Sequence, residues 1–420
     1  MGEPWNTFVE GDNLDVLQAL AGAGEKFDLI YIDPPYNTGS LFAYHDDRRG
    51  GDGRRAGRHE AWVAMMRPRL EAARTVMSER AAIYVSIDDN EAAYLKILMD
   101  EVFGERNELA QIVVNLNPKG RQLGNGFATS HEYLLVYAAD ARACALESSI
   151  PEAVNDQDFP LVTDDGRHYR RLPLRNTNKK FNPATARSLH FPVWGDPDSG
   201  RVDVEPFDGG QEIWPVFGDG RPAVWRWSAP LIAARPEDLM CRRVRGKLGE
   251  RVDVYQRDWL SRDASGDARR KKLTTIWLTE EIGSTDTAVA EMKSLVGPLF
   301  ESPKPTGLIR RILATMPTDV RVLDFFAGSG TTGHAVALAN AEDGGRRTCW
   351  SVQIAEETRP GSNAARAEMT YVSDITRARL RAVVAAHGNG DAAELAECAL
   401  GELLATSGNG VTRGVQNAAS

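Results

Sequence analysis

The N-terminal part of the chain alternates between short apolar runs and the helical spacing of apolar positions. Apolar runs at 27–33 and 81–88 each predict a buried strand. Between them, residues 59–77 have helical spacing, although Pro68 should kink or interrupt the helix. This part of the chain therefore predicts strands joined by a helix.

Further elements follow the second run. Asp88 or Asp89 is expected to cap a helix that ends at Gly104. The apolar runs 111–116 and 132–138 flank a polar, glycine-containing loop and predict a pair of strands joined as a hairpin.

The same alternation returns near the C-terminus, after a middle region that lacks it. From about 140 to 300, prolines, glycines and tryptophans interrupt short strand-like segments. Strands that alternate with helices at both ends predict an α/β fold, with a mostly parallel sheet covered by helices on both faces. The predicted C-terminal elements are helices at 305–316, 331–342 and 375–387, and strands at 320–326 and 348–356.

The alternation of predicted strands and helices divides the chain into four parts. Two half-domains, 1–139 and 301–388, share one sheet, and an inserted domain, 140–300, interrupts it. The residues after 388 are rich in Ala, Gly and Asn and are expected to be a frayed tail, 389–420.

Composition and charge single out the middle region. The 420 residues are 42% hydrophobic and 26% charged, which supports a globular core and argues against wholesale disorder. The net charge is −9, but residues 160–275 carry 22 Lys and Arg against 16 Asp and Glu, which leaves −15 for the rest. Six of nine tryptophans also lie between 194 and 277. This region is either a separate nucleic-acid-binding module or an ordinary domain with a solvated basic face.

The cysteines and the hydropathy pattern bear on location. Four cysteines at 144, 241, 349 and 398 are too far apart in sequence for a CxxC pair, so neither a disulfide framework nor a metal site is expected. No apolar run approaches the length of a membrane span, and the N-terminus lacks the pattern of a secretory signal. We therefore expect a reduced, cytoplasmic protein with no membrane partner.

A glycine-rich loop follows the predicted strand at 320–326. Gly328, Gly330 and Gly333 fit G-x-G-x-x-G between a strand and a helix, where backbone can approach a ligand closely. The ligand is either a dinucleotide or an adenosyl cofactor without phosphate, and a tight turn without ligand is the structural alternative. Glu356 or Glu357, at the end of the next strand, could accept hydrogen bonds from a ribose.

The predicted strand at 27–33 ends in an unusual sequence, Asp33-Pro34-Pro35-Tyr36. Ligands bind at the carboxyl ends of strands in open α/β sheets. The Asp33 carboxylate and the Pro34 carbonyl could together accept both hydrogens of an exocyclic amine, and Tyr36 offers a face on which a base can stack. Holding the amine in this way would expose its lone pair for in-line attack. Taken alone, the sequence could also be a structural turn.

The two motifs together resemble the amino-group DNA methyltransferases that use S-adenosylmethionine, in the circularly permuted β-class. The resemblance extends from Gly11 to about Leu380. More specifically, the chain looks like the modification subunits of type III restriction systems. It rests on DPPYNTG and on SIDDNE (86–91), DEVFGERN (100–107), SPKPTGLIRR (302–311), DFFAGSGTTGHAV (324–336) and ANAEDGG (339–345).

The resemblance implies a fold, a cofactor and a set of site residues. The implied fold is the class I S-adenosylmethionine-dependent methyltransferase fold, Rossmann-like, with a mostly parallel seven-stranded sheet and an inserted target-recognition domain at 140–300. S-adenosylmethionine is the implied cofactor, and Lys304 would reach its methionine end. The implied catalytic residues are Asp33, Pro34, Pro35 and Tyr36, and the other implied cofactor-binding residues are Asp324, Phe325, Phe326, Ala327, Gly328, Ser329, Gly330, Glu356 and Asp12.

The resemblance also implies a reaction and partners. The expected reaction is methylation of the N6 amine of adenine in double-stranded DNA, after the base is flipped out and with the 140–300 region contacting the DNA. Cytosine-N4 methylation, RNA adenine methylation and an inactive DNA-binding protein are the alternatives. The type III subunits are generally longer, so a solitary or phage-borne enzyme is an alternative to one that joins a restriction subunit. A homodimer is a further expectation.

Overall fold

A computed structural model of the protein describes residues 5–38, 55–120, 126–151, 154–246, 249–262, 267–387 and 395–401. The chain forms two compact units. The first takes in the residues up to 148 and from 273 onward, and the second is Ser149–Lys272. The second unit is shorter than the predicted domain, 140–300, because residues 140–148 and 273–300 belong to the first unit.

The described residues contain the following strands and helices. The strands are β1 Asn6–Glu10, β2 Phe27–Ile32, β3 Met77–Ile87, β4 Glu108–Val114, β5 Glu132–Ala138, β6 Ser149–Pro151, β7 Leu161–Val162, β8 His168–Pro173, β9 Val193–Gly195, β10 Val202–Asp203, β11 Gln211–Ile213, β12 Leu239–Gly246, β13 Gly249–Trp259, β14 Arg270–Lys272, β15 Ile276–Trp277, β16 Arg321–Asp324, β17 Thr348–Gln353 and β18 Leu395–Ala399. The helices are α1 Asn13–Gly22, α2 Arg55–Val76, α3 Ala92–Phe103, α4 Ala229–Ala234, α5 Thr279–Ile282, α6 Thr285–Val296, α7 Thr306–Leu313, α8 Thr331–Asp343, α9 Asn363–Arg366 and α10 Val372–His387.

The first unit is built on one sheet with the strand order β15-β4-β5-β3-β2-β16-β17-β1-β18. Neighbouring strands are parallel except at β5, which is antiparallel to both β3 and β4. The predicted mostly parallel sheet and the β4–β5 pairing are therefore confirmed. The described residues give nine strands rather than seven, because β15 and β18 extend the two edges.

Helices cover both faces of this sheet, as predicted. Residues alternate along β2, so Ile30 and Ile32 face one core while Leu29 and Tyr31 face the other. The first core is completed by α1, α2 and α3, and the second by α7 and α8. Burial on both faces explains why β2 is a continuous apolar run rather than an alternating one.

Three local predictions differ from the structure. Helix α2 runs through Pro68 from Arg55 to Val76. Neither Asp88 nor Asp89 caps α3: Asp88 accepts from the backbone N–H of Asn90 in the turn before the helix, and Asp89 accepts from the Tyr133 hydroxyl. The predicted tail, 389–420, contains β18, which pairs in parallel with β1.

The described strands of the second unit do not belong to this sheet. Its described strands form a four-stranded antiparallel sheet, β12-β13-β8-β7, with smaller sheets β10-β9-β11 and β14-β6. Trp225 and Trp227 lie in its core, and Trp259 is also buried, while Trp214 is 43% exposed. Trp277 lies in the first unit, where it is buried. Most of the clustered tryptophans therefore build cores rather than a binding face.

Two further observations concern the length of the helices and the state of the cysteines. Within the described residues, no helix is long and apolar enough to cross a membrane. All four cysteines are free thiols, and three of them are buried.

Candidate active site and cofactor cleft

Strands β2 and β16 bring the two sequence motifs together. They are parallel neighbours, with Leu29 opposite Val322 and Ile30 opposite Leu323. Their carboxyl ends therefore meet at the same edge of the sheet, although about 290 residues separate them in sequence. The two motifs form one site for this reason.

The loop after β2 is fixed by buried partners. The indole N–H of Trp62 donates to the Pro35 carbonyl over 2.6 Å. Asn37 has a left-handed backbone, with φ of 58°, and its side-chain amide donates to the buried carboxylate of Glu91 over 2.7 Å. His59 Nδ1 lies 2.8 Å from the same Glu91 oxygen. Asn tolerates this backbone conformation better than most residues, so Asn37 suits the turn that orients Asp33 to Tyr36.

Asp33 and Tyr36 lie in a cluster with two residues from distant elements. The Tyr36 hydroxyl is 2.8 Å from Asp33 Oδ1 and 2.9 Å from Glu132 Oε2. Lys304 Nζ is 2.7 Å from the Tyr36 hydroxyl, 2.8 Å from Glu132 Oε2 and 3.1 Å from Asp33 Oδ1. One cation therefore lies between two carboxylates, with a phenol bridging them.

Burial and charge set the protonation of this cluster. Burial raises the pKa of Asp33, although the Lys304 ammonium opposes this rise. Burial disfavours the charged form of Lys304, but the carboxylates of Asp33 and Glu132 outweigh burial and raise the Lys304 pKa. Burial, with both carboxylates nearby, raises the pKa of Tyr36 well above its ordinary value. Lys304 is therefore charged and Tyr36 neutral near pH 7.

A cleft begins beside this cluster and extends along the ends of β16 and β17. Gly328 and Gly330 have φ of 51° and 76°, which allows the loop to turn sharply into α8. Gly330 is the residue before α8 and does not line the cleft, whereas the preceding loop residues do. Predicted residues that line it are Asp12, Asp33, Pro35, Lys304, Asp324, Phe325, Phe326, Ala327, Gly328, Ser329 and Glu356.

Asp324 is buried at the start of the glycine loop. The Thr332 hydroxyl donates to its Oδ2 over 2.5 Å and the Phe326 backbone N–H to its Oδ1 over 3.0 Å. Burial outweighs these two hydrogen bonds and raises the pKa of Asp324 to about 7. The carboxylate thus ties the loop to α8 while one side remains at the cleft.

The far side of the loop is supported by a buried arginine. Arg379, on α10, donates to Ser329 Oγ over 3.1 Å and to Thr331 Oγ1 over 2.8 Å, and its side chain is fully buried. The Thr376 hydroxyl donates to the Gly328 carbonyl over 2.5 Å. Helix α10 therefore holds the turn in place from behind.

The remaining predicted residues differ in whether they line the cleft. Asp12 caps α1 by accepting from the Leu14 N–H over 2.8 Å, and it also pairs with Arg69 at 3.1 Å. Glu356 lines the cleft, whereas Glu357 is not among the described residues that line it. Asp12 therefore has a structural partner as well as a place at the cleft.

A second cleft opens on the other side of Asp33. It shares Asp33, Ser302 and Lys304 with the first cleft, so these residues lie where the two meet. Pro34 and Tyr36 line only the second cleft. Its other lining residues are Thr38, Asp88, Leu116, Asn117, Thr129, Ser130, His131, Glu132 and Thr285.

Sequence reasoning missed three residues of the site, namely Glu132, Arg69 and Arg379. Glu132 begins the apolar run of β5, and only the antiparallel direction of β5 brings its first residue to the carboxyl ends of β2 and β16. A carboxylate at the start of a strand known to be antiparallel is the signal that could have identified it. Arg69 and Arg379 lie within helical patterns that gave no such signal.

The first unit is an α/β fold with two clefts that meet at Asp33. A family model described as DNA methylase matches residues 27–358. The chain belongs to this DNA methylase family.

Individual proteins agree with this assignment. Type II methyltransferase M.KpnI of Klebsiella pneumoniae is 33% identical over 89% of this chain and 86% of its own length. The Mod subunit of the type III restriction-modification enzyme EcoPI, from Escherichia phage P1, is also 33% identical, over 90% of this chain but only 62% of its own length. The solved structure of the M1.HpyAVI–SAM complex has a TM-score of 0.36 and 11% identity, over 83% of this chain and 93% of that one. A TM-score this low carries no weight for the site.

Proposed function

We propose that this protein transfers a methyl group from S-adenosylmethionine to the N6 amine of adenine in double-stranded DNA. The observation that carries the proposal is the position of Asp33 where the two clefts meet. A reacting base in one cleft and a methyl donor in the other would meet only at this point. Family membership supports DNA as the substrate.

Asp33 and Pro34 are suited to hold the amine. The recorded contacts of Asp33 with Lys304 and Tyr36 engage Oδ1, which leaves Oδ2 for an amine hydrogen. The Pro35 carbonyl accepts from Trp62. Pro34 lines the second cleft next to Asp33, so we assign its carbonyl as the second acceptor. Two acceptors directed at one –NH₂ group hold both its hydrogens and leave the lone pair exposed, which is catalysis by orientation and electrostatics.

The first cleft fits S-adenosylmethionine by its chemistry. Its carboxyl groups, among them Asp324 and Glu356, suit the cationic sulfonium and ammonium groups and the ribose hydroxyls. The loop at Gly328 brings backbone rather than side chains to the cleft, which allows close approach. When bound, S-adenosylmethionine would supply the methyl group as an electrophile: its sulfur–methyl bond would break as the nitrogen–methyl bond forms, S-adenosylhomocysteine would leave, and the amine would release one proton. We assign Asp324–Ser329, Glu356 and Asp12 to its binding.

The second cleft would hold the target base. A base within a duplex cannot reach a site recessed at the sheet edge, so we expect it to be flipped out. Tyr36 lines this cleft and offers a stacking surface. Adenine is the proposed base because the motif begins with Asp, as in the adenine enzymes of the family that the motif resembles.

The test is a methyl-transfer assay with labelled S-adenosylmethionine and duplex DNA of mixed sequence. Digestion of the product should yield N6-methyladenine. N4-methylcytosine as the labelled base would establish the cytosine alternative, and label in RNA alone would establish the RNA alternative. No transfer to any nucleic acid by a folded protein that binds the cofactor would contradict the proposal.

We infer that the second unit contacts DNA. Lys180 and Arg187 are exposed in a region that carries more basic than acidic residues. Basic side chains that contact phosphates release counterions on binding, which makes affinity depend on salt.

The double variant Lys180→Gln/Arg187→Gln should therefore weaken DNA binding uniformly across sequences. The slope of log K against log salt should fall by about 2, since each lost phosphate contact reduces it by about 1. Fluorescence anisotropy at several salt concentrations measures the slope. Lys293→Gln, an exposed lysine of the first unit, is the matched control. Equal slopes for the double variant and the wild type would show that Lys180 and Arg187 do not contact DNA phosphates.

The partners beyond DNA stay predictions. The phage P1 relative is named as a subunit of a restriction-modification enzyme, which supports a restriction subunit as a partner for this chain as well. The match covers 62% of that relative's own length. A homodimer and a cytoplasmic location likewise stay predictions.

A further inference from the structure

The resemblance assigns Lys304 to the methionine end of the cofactor, but its ammonium group contacts Asp33, Tyr36 and Glu132. An ammonium group has three N–H donors. The three recorded acceptors of Lys304 Nζ are Asp33 Oδ1, the Tyr36 hydroxyl and Glu132 Oε2, at 3.1, 2.7 and 2.8 Å. These contacts account for all three donors, and the side chain is only 11% exposed. Its partners are residues of the proposed base site.

We propose that Lys304 and Glu132 are a positioning pair for Asp33. Lys304 holds the Asp33 carboxylate ionised, and Glu132 holds Lys304 in place beside it, so that the second oxygen of Asp33 stays directed at the amine. The proposal rests on the proposed function, because it assigns Asp33 to the reacting amine. It replaces a cofactor-binding role for Lys304 and adds Glu132 to the active site. Both residues act through Asp33, so neither needs to touch the reacting atoms.

The geometry explains why a pair is needed. Lys304 alone would be attracted to whichever carboxylate is nearest and could rotate toward the cofactor cleft, which it also lines. Glu132, on β5, is 2.8 Å from Nζ and is among the described residues that line the base cleft but not among those that line the cofactor cleft. The Tyr36 hydroxyl accepts from Lys304 and has one hydrogen to donate, to Asp33 at 2.8 Å or to Glu132 at 2.9 Å. The four side chains thus fix one another.

Ionisation of Asp33 is essential to the amine contact, because a protonated carboxyl group would donate a hydrogen where an acceptor is required. Several groups face Asp33. Burial disfavours its charge, Lys304 favours it, Glu132 disfavours it, and Tyr36 favours it through a hydrogen bond. Tyr31 and Asp324 are the other titratable groups coupled to it. Lys304 and Glu132 therefore act on the Asp33 charge in opposite directions, although they bind each other.

Because the two charges act in opposite directions, removing each of them should shift the pH dependence of kcat in opposite directions. The dependence of kcat on pH should have an acidic limb, where Asp33 becomes protonated and activity is lost. Lys304→Met removes the favourable charge, so the limb should move up by about one to three pH units, with activity partly recovered at higher pH. Glu132→Gln removes the unfavourable charge, so the limb should move down. Lys304→Arg keeps the charge and should restore the wild-type limb, at a lower kcat.

Binding of S-adenosylmethionine is the second measurement. The Kd from isothermal titration calorimetry should change by less than about threefold in Lys304→Met. Loss of a hydrogen bond between the lysine and the cofactor would instead raise the Kd by about tenfold or more. Lys293→Met, on the exposed face of α6, controls for the loss of a lysine and should move neither the limb nor the Kd. Circular dichroism confirms that each variant is folded.

Three outcomes would overturn the proposal. A tenfold or greater loss of cofactor affinity in Lys304→Met, with an unmoved limb, would return Lys304 to the cofactor site. Limbs that move in the same direction in Lys304→Met and Glu132→Gln would contradict the opposed charges. No shift in either variant would mean that the cluster is only structural. If the wild-type enzyme methylates no nucleic acid, the proposed function fails, and a carbon-13 NMR titration of the Asp33 carboxyl in the same variants still tests whether the pair controls its charge.

Discussion

Replacement of Asp33 by alanine should lower kcat for methyl transfer by at least about 10²–10³-fold, the usual effect of removing one preorganised catalytic hydrogen-bonding group. The physical reason is positional. Asp33 is the carboxylate at the junction of the two clefts, and its free oxygen is one of two proposed acceptors for the amine. Without it, the amine keeps its planar geometry and its lone pair stays delocalised in the ring.

The variant should keep its ligands and its fold. Lys304 still has Glu132 at 2.8 Å, so no buried cation is left unpaired. The cofactor cleft is lined mainly by other residues, so the Kd for S-adenosylmethionine should change little. Asp33→Asn keeps one acceptor oxygen and should retain more activity than Asp33→Ala. Single-turnover rates with labelled cofactor, together with calorimetric Kd values, separate chemistry from binding.

Asp15→Ala is the matched control, since Asp15 is an exposed aspartate on α1 in the same unit. It should methylate DNA at the wild-type rate. An Asp33→Ala variant with wild-type kcat would show that the carboxylate does not hold the amine. Loss of cofactor binding equal to the loss of kcat would instead place Asp33 in the cofactor site.

The two sequence motifs of this site were predictable from the pattern of the strands that precede them. Asp33 and Asp324 end strands that are buried on both faces, so their runs are continuous and apolar and stand out in the sequence. In a parallel sheet such ends meet at one edge, whatever their separation along the chain. Local pattern and one topological rule were therefore enough to place the two motifs at one site.

Glu132 was not predictable in the same way. It begins a strand rather than ending one, and it reaches the site only because β5 runs antiparallel to β3 and β4. Strand direction depends on pairing across the sheet, which a single-sequence pattern does not contain. Lys304 was found by resemblance, but its direction toward Asp33 depends on where α7 starts, which is also a tertiary property.

The boundary of the second unit was also predicted incorrectly, because it depends on strand pairing. Trp277 was grouped with the basic, aromatic-rich region because it is near it in sequence. In the structure it is buried in the first unit, where β15 adds to the edge of the large sheet. Proximity in sequence misassigns such a residue, since short edge strands carry little periodic signal of their own.

Helix α7 begins directly after Lys304 and Pro305, so a shift of this helix should change both stability and the position of Lys304. Gly307 lies in the first turn of α7 against α5. A Cβ at Gly307 would lie 2.5 Å from the Ile282 carbonyl oxygen and 2.9 Å from the carbonyl carbon. Backbone atoms cannot rotate away as the end of a side chain can, so one of the two helices must shift.

Gly307→Ala should therefore lower the free energy of unfolding by about 1–3 kcal/mol, the usual cost of overpacking. The shift should also move Lys304 relative to Asp33, and misplacement by about 1 Å can cost about 10²-fold in rate. Urea unfolding and kcat measured on the same preparation test both effects. The loss of kcat should remain at low temperature, where the variant is fully folded.

Gly22→Ala is the matched control, because Gly22 ends α1 and a Cβ there would meet nothing within 4 Å. It should be neutral or stabilise the protein by up to about 1 kcal/mol, since alanine favours the helix more than glycine does. A Gly307→Ala variant as stable as Gly22→Ala would show that α5 and α7 can separate without cost. If Gly307→Ala is destabilised but keeps its kcat, the position of Lys304 does not depend on the position of α7. Its contacts with Glu132, Tyr36 and Asp33 must then hold it in place.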